Sequence, residues 1–244
     1  MRPDRVPAAA PVLPNLFYGW VLLTTPAMRL IAINGSPRKK WNTATLLRHA
    51  MEGAESEGAK TELVHLYDLA YKGCISCFAC KRIGGKNYGH CPVNDDLRPL
   101  LKKIEKKADA VLIGSPIYYA ITTGETRSFL ERLMFPYSVY DPDRSTLFGR
   151  KIRTGFIYTA GAPEEMVSEM GFDRNAKATE MAMERIFGSC ESFFVTDTYQ
   201  FDDYAKYVST RFDPEAKQRR RDEQFPLDCR RAYEMGARMV REAE

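Results

Sequence analysis

Histidine is scarce in this chain of 244 residues, which holds three copies, His49, His65 and His90. None falls into a convincing Ser-His-Asp or Cys-His set, so hydrolysis by an activated nucleophile has no visible basis. The chain also lacks a strong charge: its formal net charge of +4 permits anionic ligands without demanding nucleic acid. No internal repeat and no low-complexity linker interrupts it. The most apolar N-terminal stretch, Leu16–Leu23, is too short to span a bilayer, so no membrane partner is expected. The six cysteines are clustered rather than spread as staples, and a chain of this length has no need of disulfides. A reducing compartment, the cytoplasm, fits that usage.

Arg2 and Arg5 precede the apolar stretch and loosely imitate a secretion signal. Pro7, Pro11 and Pro14 intervene, and no clean cleavage pattern follows. Met28 stands directly before Arg29-Leu30-Ile31-Ala32-Ile33-Asn34, a strong opening strand. The expected organisation is an extension over 1–27 and one domain over 28–244, closing with a helical C-terminal extension. An export signal is the alternative for the first segment.

Apolar runs suited to strands buried on both faces occur at Leu30–Ile33, Ala110–Ile113, Phe156–Tyr158 and Phe193–Val195, with a weaker edge strand at Glu62–Leu66. Helical spacing relates Leu47, Ala50, Met51 and Ala54, then Leu97, Leu100, Leu101 and Ile104, then Phe129, Leu130, Leu133 and Met134. Further helices are expected over Thr179–Phe187 and through Ala232, Met235, Gly236, Met239 and Val240. Strand and helix alternate, which predicts an α/β fold with a doubly wound, five-stranded parallel sheet and helices on both faces. Two irregular insertions stand out: a cysteine-rich one, and Phe135–Arg150. The basic run Lys217–Arg221 reads as a solvated helix face beside Asp222 and Glu223.

The loop Asn34-Gly35-Ser36-Pro37-Arg38-Lys39-Lys40-Trp41-Asn42-Thr43 joins the first strand to the first helix. There, backbone N–H groups and a helix N-terminus converge with the hydroxyls of Ser36 and Thr43, the Asn42 amide and the Arg38 charge. The stretch has neither a Walker pattern nor GxGxxG. Its density of donors suits a terminal phosphomonoester; an ordinary capped polar loop is the alternative.

Cys74, Cys77, Cys80 and Cys91 lie in one glycine- and lysine-rich segment. Thiols at that spacing make a metal or iron–sulfur ligand set, a redox group or a structural loop. Asp95 and Asp96 beyond them read as the N-cap and first turn of the next helix.

GSPRKKWNTATLL after the first strand, GSPIYYAITTGETRSFLERL after the third, and the cysteine segment between them resemble the flavodoxin-fold NAD(P)H-dependent FMN reductases, in the branch related to iron–sulfur flavoproteins. The resemblance runs from about Met28 to Tyr204. It implies a flavodoxin-like fold and a bound FMN whose phosphate is held by Ser36, Arg38, Asn42 and Thr43. It implies that Ser115, Pro116, Ile117 and Tyr118 run along the flavin ring, with Gly124 where the next helix begins and Thr159 and Gly161 in a third flavin-facing loop.

The implied reaction passes electrons from NADH or NADPH through FMN to a quinone, flavin, metal or other small acceptor, with no catalytic side chain required. An electron carrier without substrate turnover is the alternative. The resemblance also implies a homo-oligomer, most simply a dimer. Cys74, Cys77 and Cys80 match the run that holds a [4Fe–4S] cluster in the iron–sulfur flavoproteins. Cys91 departs from that pattern by its distance, so cluster, zinc and metal-free thiols stay open.

Overall fold

A computed structural model describes residues 26–241 of the chain. Apart from residues 26 and 27, the N-terminal extension expected over 1–27 lies outside the described residues. The chain order is β1 (Arg29–Asn34), α1 (Asn42–Ser56), β2 (Lys60–His65), α2 (Leu97–Lys107), β3 (Ala110–Tyr118), β4 (Ile121–Thr122) and α3 (Gly124–Met134). It continues with β5 (Ile152–Thr159), α4 (Glu165–Glu169), α5 (Phe172–Phe187), β6 (Gly188–Val195), α6 (Pro214–Arg219) and α7 (Phe225–Arg238).

Five strands pair in parallel in the order β2-β1-β3-β5-β6. This is the flavodoxin-like order, with the switch point between β1 and β3. A sixth strand departs from the expectation of five: the two residues of β4 fold back antiparallel on β3, Ile117 opposite Thr122 and Tyr118 opposite Ile121.

Alternation along the strands divides the core in two. Ile31, Ile33, Val111, Ile113, Phe156 and Tyr158 face one layer with residues of α2, α3 and α5. Leu30, Ala32, Ala110, Leu112, Ile157, Phe193 and Val195 face the other, with α1 and α7. The two helices of that second layer approach closely because each offers a glycine. A Cβ on Gly53 would fall 1.9 Å from the Tyr233 carbonyl oxygen, and one on Gly236 would fall 1.7 Å from that of Ala50. Helix α7 is thereby built into the core instead of trailing from it.

The basic run corrects the sequence reading. Lys217 is 3% exposed, and its ammonium donates to the Gly161 carbonyl at 2.7 Å and pairs with Asp197. Arg221 donates to the Asn42 side-chain oxygen at 2.8 Å and lies 4.2 Å over the Phe225 ring. These two cations turn inward; periodicity alone could not show it, because their partners stand far away in sequence.

Candidate flavin edge and cysteine pocket

The parallel strands deliver their following loops to one edge of the sheet, where ligands bind in open α/β folds. The first loop is locked by Asn34, which is fully buried. Its side-chain oxygen accepts from the Ser36 N–H at 3.1 Å, and its amide nitrogen lies 2.8 Å from His65 Nδ1. Burial lowers the His65 pKa, with Asp68 opposing, which favours the neutral ring; because the Asn34 amide nitrogen is the donor of this pair, Nδ1 is its acceptor.

Gly35 sits where no side chain fits: a Cβ there would lie 1.9 Å from Thr126 Oγ1. The Gly35 N–H donates to the Gly114 carbonyl at 2.8 Å, and its own carbonyl accepts from the Thr123 hydroxyl at 2.7 Å. Helix α1 begins just beyond, with Trp41 at its N-cap and no side chain capping it. Its first N–H groups and the positive end of its dipole therefore face the loop without a resident carboxylate.

The four residues expected to hold phosphate gather here, with different commitments. Ser36, Asn42 and Thr43 are buried, and the Ser36 hydroxyl accepts from the Arg38 N–H at 3.1 Å. The Asn42 amide donates to the Tyr199 carbonyl at 2.8 Å, while Thr43 and Thr159 hydroxyls meet at 2.8 Å. Arg38 extends outward, bonds to the Gln200 carbonyl and stacks 5.2 Å over Trp41. Arg38, Lys39, Lys40, Trp41, Gln200 and Tyr207 line a cleft of 450 Å³ beside the loop.

In the second loop Ser115 is fully buried, and its hydroxyl bonds with the Pro116 carbonyl, the Thr123 N–H and the Thr126 hydroxyl. Only its backbone is left to meet a ligand. Ile117 lines a groove against α5, and Tyr118 is half-exposed. Tyr119 and Ala120 take left-handed φ values of 49° and 70°, a strained turn that pushes Tyr119 fully into solvent. A Cβ on Gly124, the first residue of α3, would meet open space. The third loop is tied to the segment after β6: the Ala160 carbonyl accepts from the Thr198 N–H at 2.9 Å and from its hydroxyl at 3.0 Å. Gly161 is held by Lys217 as described.

The cysteine insertion curls on itself, because Ser76 and Phe78 both adopt left-handed φ, 53° and 54°, on either side of Cys77. The four clustered thiols line one small pocket with Phe78, Arg132 and Phe135. Cys74 and Cys77 are exposed, Cys80 is buried and Cys91 is half-buried. Among the described residues no group of three or more His, Cys, Asp or Glu is placed to hold a single metal ion. Four thiols on one loop are a donor set of the kind that a [4Fe–4S] cluster or a zinc ion takes.

The two irregular insertions are joined through Lys81, which donates to the carbonyls of Phe135 and Ser138 and lies 4.5 Å over the Phe135 ring. Arg132, 2% exposed, forks onto both Asp95 carboxylate oxygens and donates to the Lys72 carbonyl at 3.1 Å. The Asp95-Asp96 reading holds for position, at the start of α2, and each carboxylate has a further partner. Asp96 occupies the N-cap position but its carboxylate accepts from the Ala70 N–H, and Asp95 is the counterion of a buried arginine.

The family model for NADPH-dependent FMN reductase matches residues 28–168, more than half of the chain. The chain belongs to that family. Its match to an iron–sulfur flavoprotein of Methanocaldococcus jannaschii is 37% identical over 105 residues, 43% of this chain and 51% of that protein. A match to an iron–sulfur flavoprotein of Archaeoglobus fulgidus is 33% identical over 144 residues, 59% of this chain and 60% of the other. The chain thus matches about half to three fifths of the length of these relatives. Among solved structures, an NAD(P)H:quinone oxidoreductase from Methanothermobacter marburgensis superposes with a TM-score of 0.64 at 16% identity, covering 90% of this chain and all of that one. An azoreductase from Bacillus anthracis gives 0.61 at 12%, covering 86% and 99%. These two likenesses concern the fold.

For this FMN reductase family member, sequence reasoning assigned no part to Asn34, Thr123, Thr126, Tyr199, Gln200 and Arg221, which hold the loops in place. Asn34 and Thr123 carried a weak signal, as short polar residues at strand and helix ends. Tyr199 and Gln200 act through backbone carbonyls, which no residue type announces.

Proposed function

We propose that the protein is an FMN-dependent oxidoreductase that takes electrons from NADH or NADPH and passes them to a small-molecule acceptor. One observation carries this reading: in a chain of the FMN reductase family, the uncapped start of α1 meets Ser36, Asn42 and Thr43 at the carboxyl edge of the sheet. FMN, when bound, supplies the hydride acceptance and the electron delivery. The chain's part is to bind and orient it.

The phosphate falls to the α1 N-terminus with Ser36, Asn42 and Thr43, and Arg38 adds countercharge from the rim. The ring runs along Pro116, Ile117 and Tyr118, with the Ser115 backbone below and the open space at Gly124 beside it. Thr159 and Gly161 close the third side. Cys74, Cys77, Cys80 and Cys91 hold a [4Fe–4S] cluster in this reading, which the shared pocket supports and the names of the relatives suggest. The working form is a homodimer; the exposed hairpin side chains Tyr118, Tyr119 and Ile121 offer apolar surface to a second subunit. Among the described residues no helix is long and apolar enough to cross a membrane. Six free cysteines suit a reducing compartment, and the cytoplasm is the proposed location.

The test is anaerobic purification followed by an absorption spectrum, with assays of FMN, iron and acid-labile sulfide and of steady-state NAD(P)H oxidation. Bound flavin with turnover of a quinone, ferric chelate or free flavin is expected. A colourless protein would end the flavin reading, and flavin without turnover would leave an electron carrier. Iron and sulfide at parity, lost in Cys91→Ser, are expected of the cluster; flavin with neither would leave the cysteines as thiols.

A further inference from the structure

A second cavity, of 280 Å³, lies against the cysteine pocket and shares Cys91, Arg132 and Pro136 with it. Its walls come from the loop carrying Lys86 and His90, from the α2 face carrying Arg98, Lys102, Glu105 and Lys106, and from Arg132 and Tyr137. Five cationic side chains line it beside Glu105, which His90 engages at 3.3 Å; Arg132 is paired with Asp95, so Lys86, Arg98, Lys102 and Lys106 carry the uncompensated charge.

Two of the cations are unfinished. The terminal nitrogens of Arg132 are satisfied by Asp95, Lys72 and Val93, but its buried Nε–H has no hydrogen-bond partner. Arg98 bonds through one terminal nitrogen to Asn94 at 3.2 Å, and its Nε–H is likewise buried and unpaired. A buried donor left unpaired is unfavourable, and Arg98 shares the cavity with the unpaired cations Lys86, Lys102 and Lys106. A neutral water would pair the donors without relieving the excess charge. A compact oxyanion does both, and guanidinium groups are the side chains best shaped to meet it.

We propose that this cavity binds a phosphate group, as a site separate from the loop at Gly35–Thr43. Its size admits the phosphate itself and not a dinucleotide, so the group is either the free ion or the phosphate of a nucleotide whose remainder lies outside. The site does not depend on the proposed electron transfer.

Calorimetric titration of the purified, flavin-loaded protein tests it, because bound FMN already fills the first-loop site. Inorganic phosphate is expected to bind saturably, and Arg98→Gln to weaken it at least tenfold. Lys102→Gln, an exposed position, serves if Arg98→Gln fails to fold, and is expected to weaken binding several-fold with an unchanged unfolding midpoint. Parallel titrations with NADP⁺ and NAD⁺ separate the sources. Weakening of NADP⁺ but not NAD⁺ by Arg98→Gln assigns the phosphate to the nucleotide, and competition by phosphate without that effect assigns it to the free ion. No saturable binding of phosphate or NADP⁺, or equal binding by wild type and both variants, overturns the proposal.

Discussion

The hydroxyls of Thr43 and Thr159 lie 2.8 Å apart, both residues almost wholly buried, and join the first loop to the third across the sheet edge. Each is the other's partner, so removing one strands the remaining hydroxyl away from water. Thr43→Val is expected to lower unfolding free energy by about 2 kcal/mol. FMN affinity should fall with it, since both loops border the proposed site. The double variant Thr43→Val, Thr159→Val should lose less than the sum of the singles, because no orphan remains. Urea titration with FMN fluorescence quenching reads both quantities; strictly additive losses would show the pair to be uncoupled.

Asp95 and Arg132 give a pH signature. Burial works to raise the Asp95 pKa, but the hydrogen bonds and charge of Arg132 outweigh it and hold the carboxyl below its usual 3.8. A depressed carboxylate stabilises the fold above the unfolded-state pKa and loses that contribution as pH falls through the folded value. Asp95→Asn should therefore reduce stability by about 3 kcal/mol near pH 7. The gap to wild type should narrow progressively once the pH drops below about 4. A gap constant from neutral pH down to pH 2 or so would refute the ion pair as its source.

The thiols should separate by reactivity in cluster-free, reduced protein. Burial pushes Cys190 up to about 12 and Cys229 up to about 11, and it raises Cys80 as well. Few of these three are thiolate at mildly alkaline pH, and the thiolate is the nucleophile. Iodoacetamide at pH 8 or so should label exposed Cys74 and Cys77 first and half-buried Cys190 more slowly, with buried Cys229 reacting only on unfolding. Peptide mass spectrometry over time decides, and early labelling of Cys229 would contradict its burial.

Most of the sheet was legible in the sequence because parallel strands buried on both faces leave unbroken apolar runs, as Leu30–Ile33 and Ala110–Ile113 do. The two residues of β4 left no such trace; their pairing follows from a turn at Tyr119-Ala120 that lacks any glycine. Helix α5 begins at Phe172, seven residues before the start its periodicity suggested, because its first turns, including Asp173, Arg174 and Lys177, are mostly polar. The loop residues of the site were visible as types at strand ends. Their mutual bonds were not, since Thr43 meets Thr159 and Asn42 meets Arg221 across long stretches of chain. Cys91 shows both limits: spacing marked it as distant from Cys80, and only the folded loop returns it to the same pocket.

Gly35 carries the sharpest steric claim. A methyl group there would stand 1.9 Å from Thr126 Oγ1 and 3.1 Å from the Gly114 carbonyl oxygen. The first contact belongs to a hydroxyl held by hydrogen bonds to Thr123 and Ser115, so it cannot swing aside freely. Gly35→Ala should thus destabilise the protein by about 3 kcal/mol and weaken FMN binding, since the first loop must shift. Thr126→Ala removes the obstructing oxygen at the expense of those two hydrogen bonds. The combined Gly35→Ala, Thr126→Ala variant should be more stable than Gly35→Ala alone, although it carries one more lesion. Only part of the loss should return, because the Gly114 carbonyl stays close. Thermal unfolding of the four proteins measures the coupling; a Gly35→Ala variant as stable as wild type, with unchanged FMN affinity, would show that the loop yields and is not fixed as described.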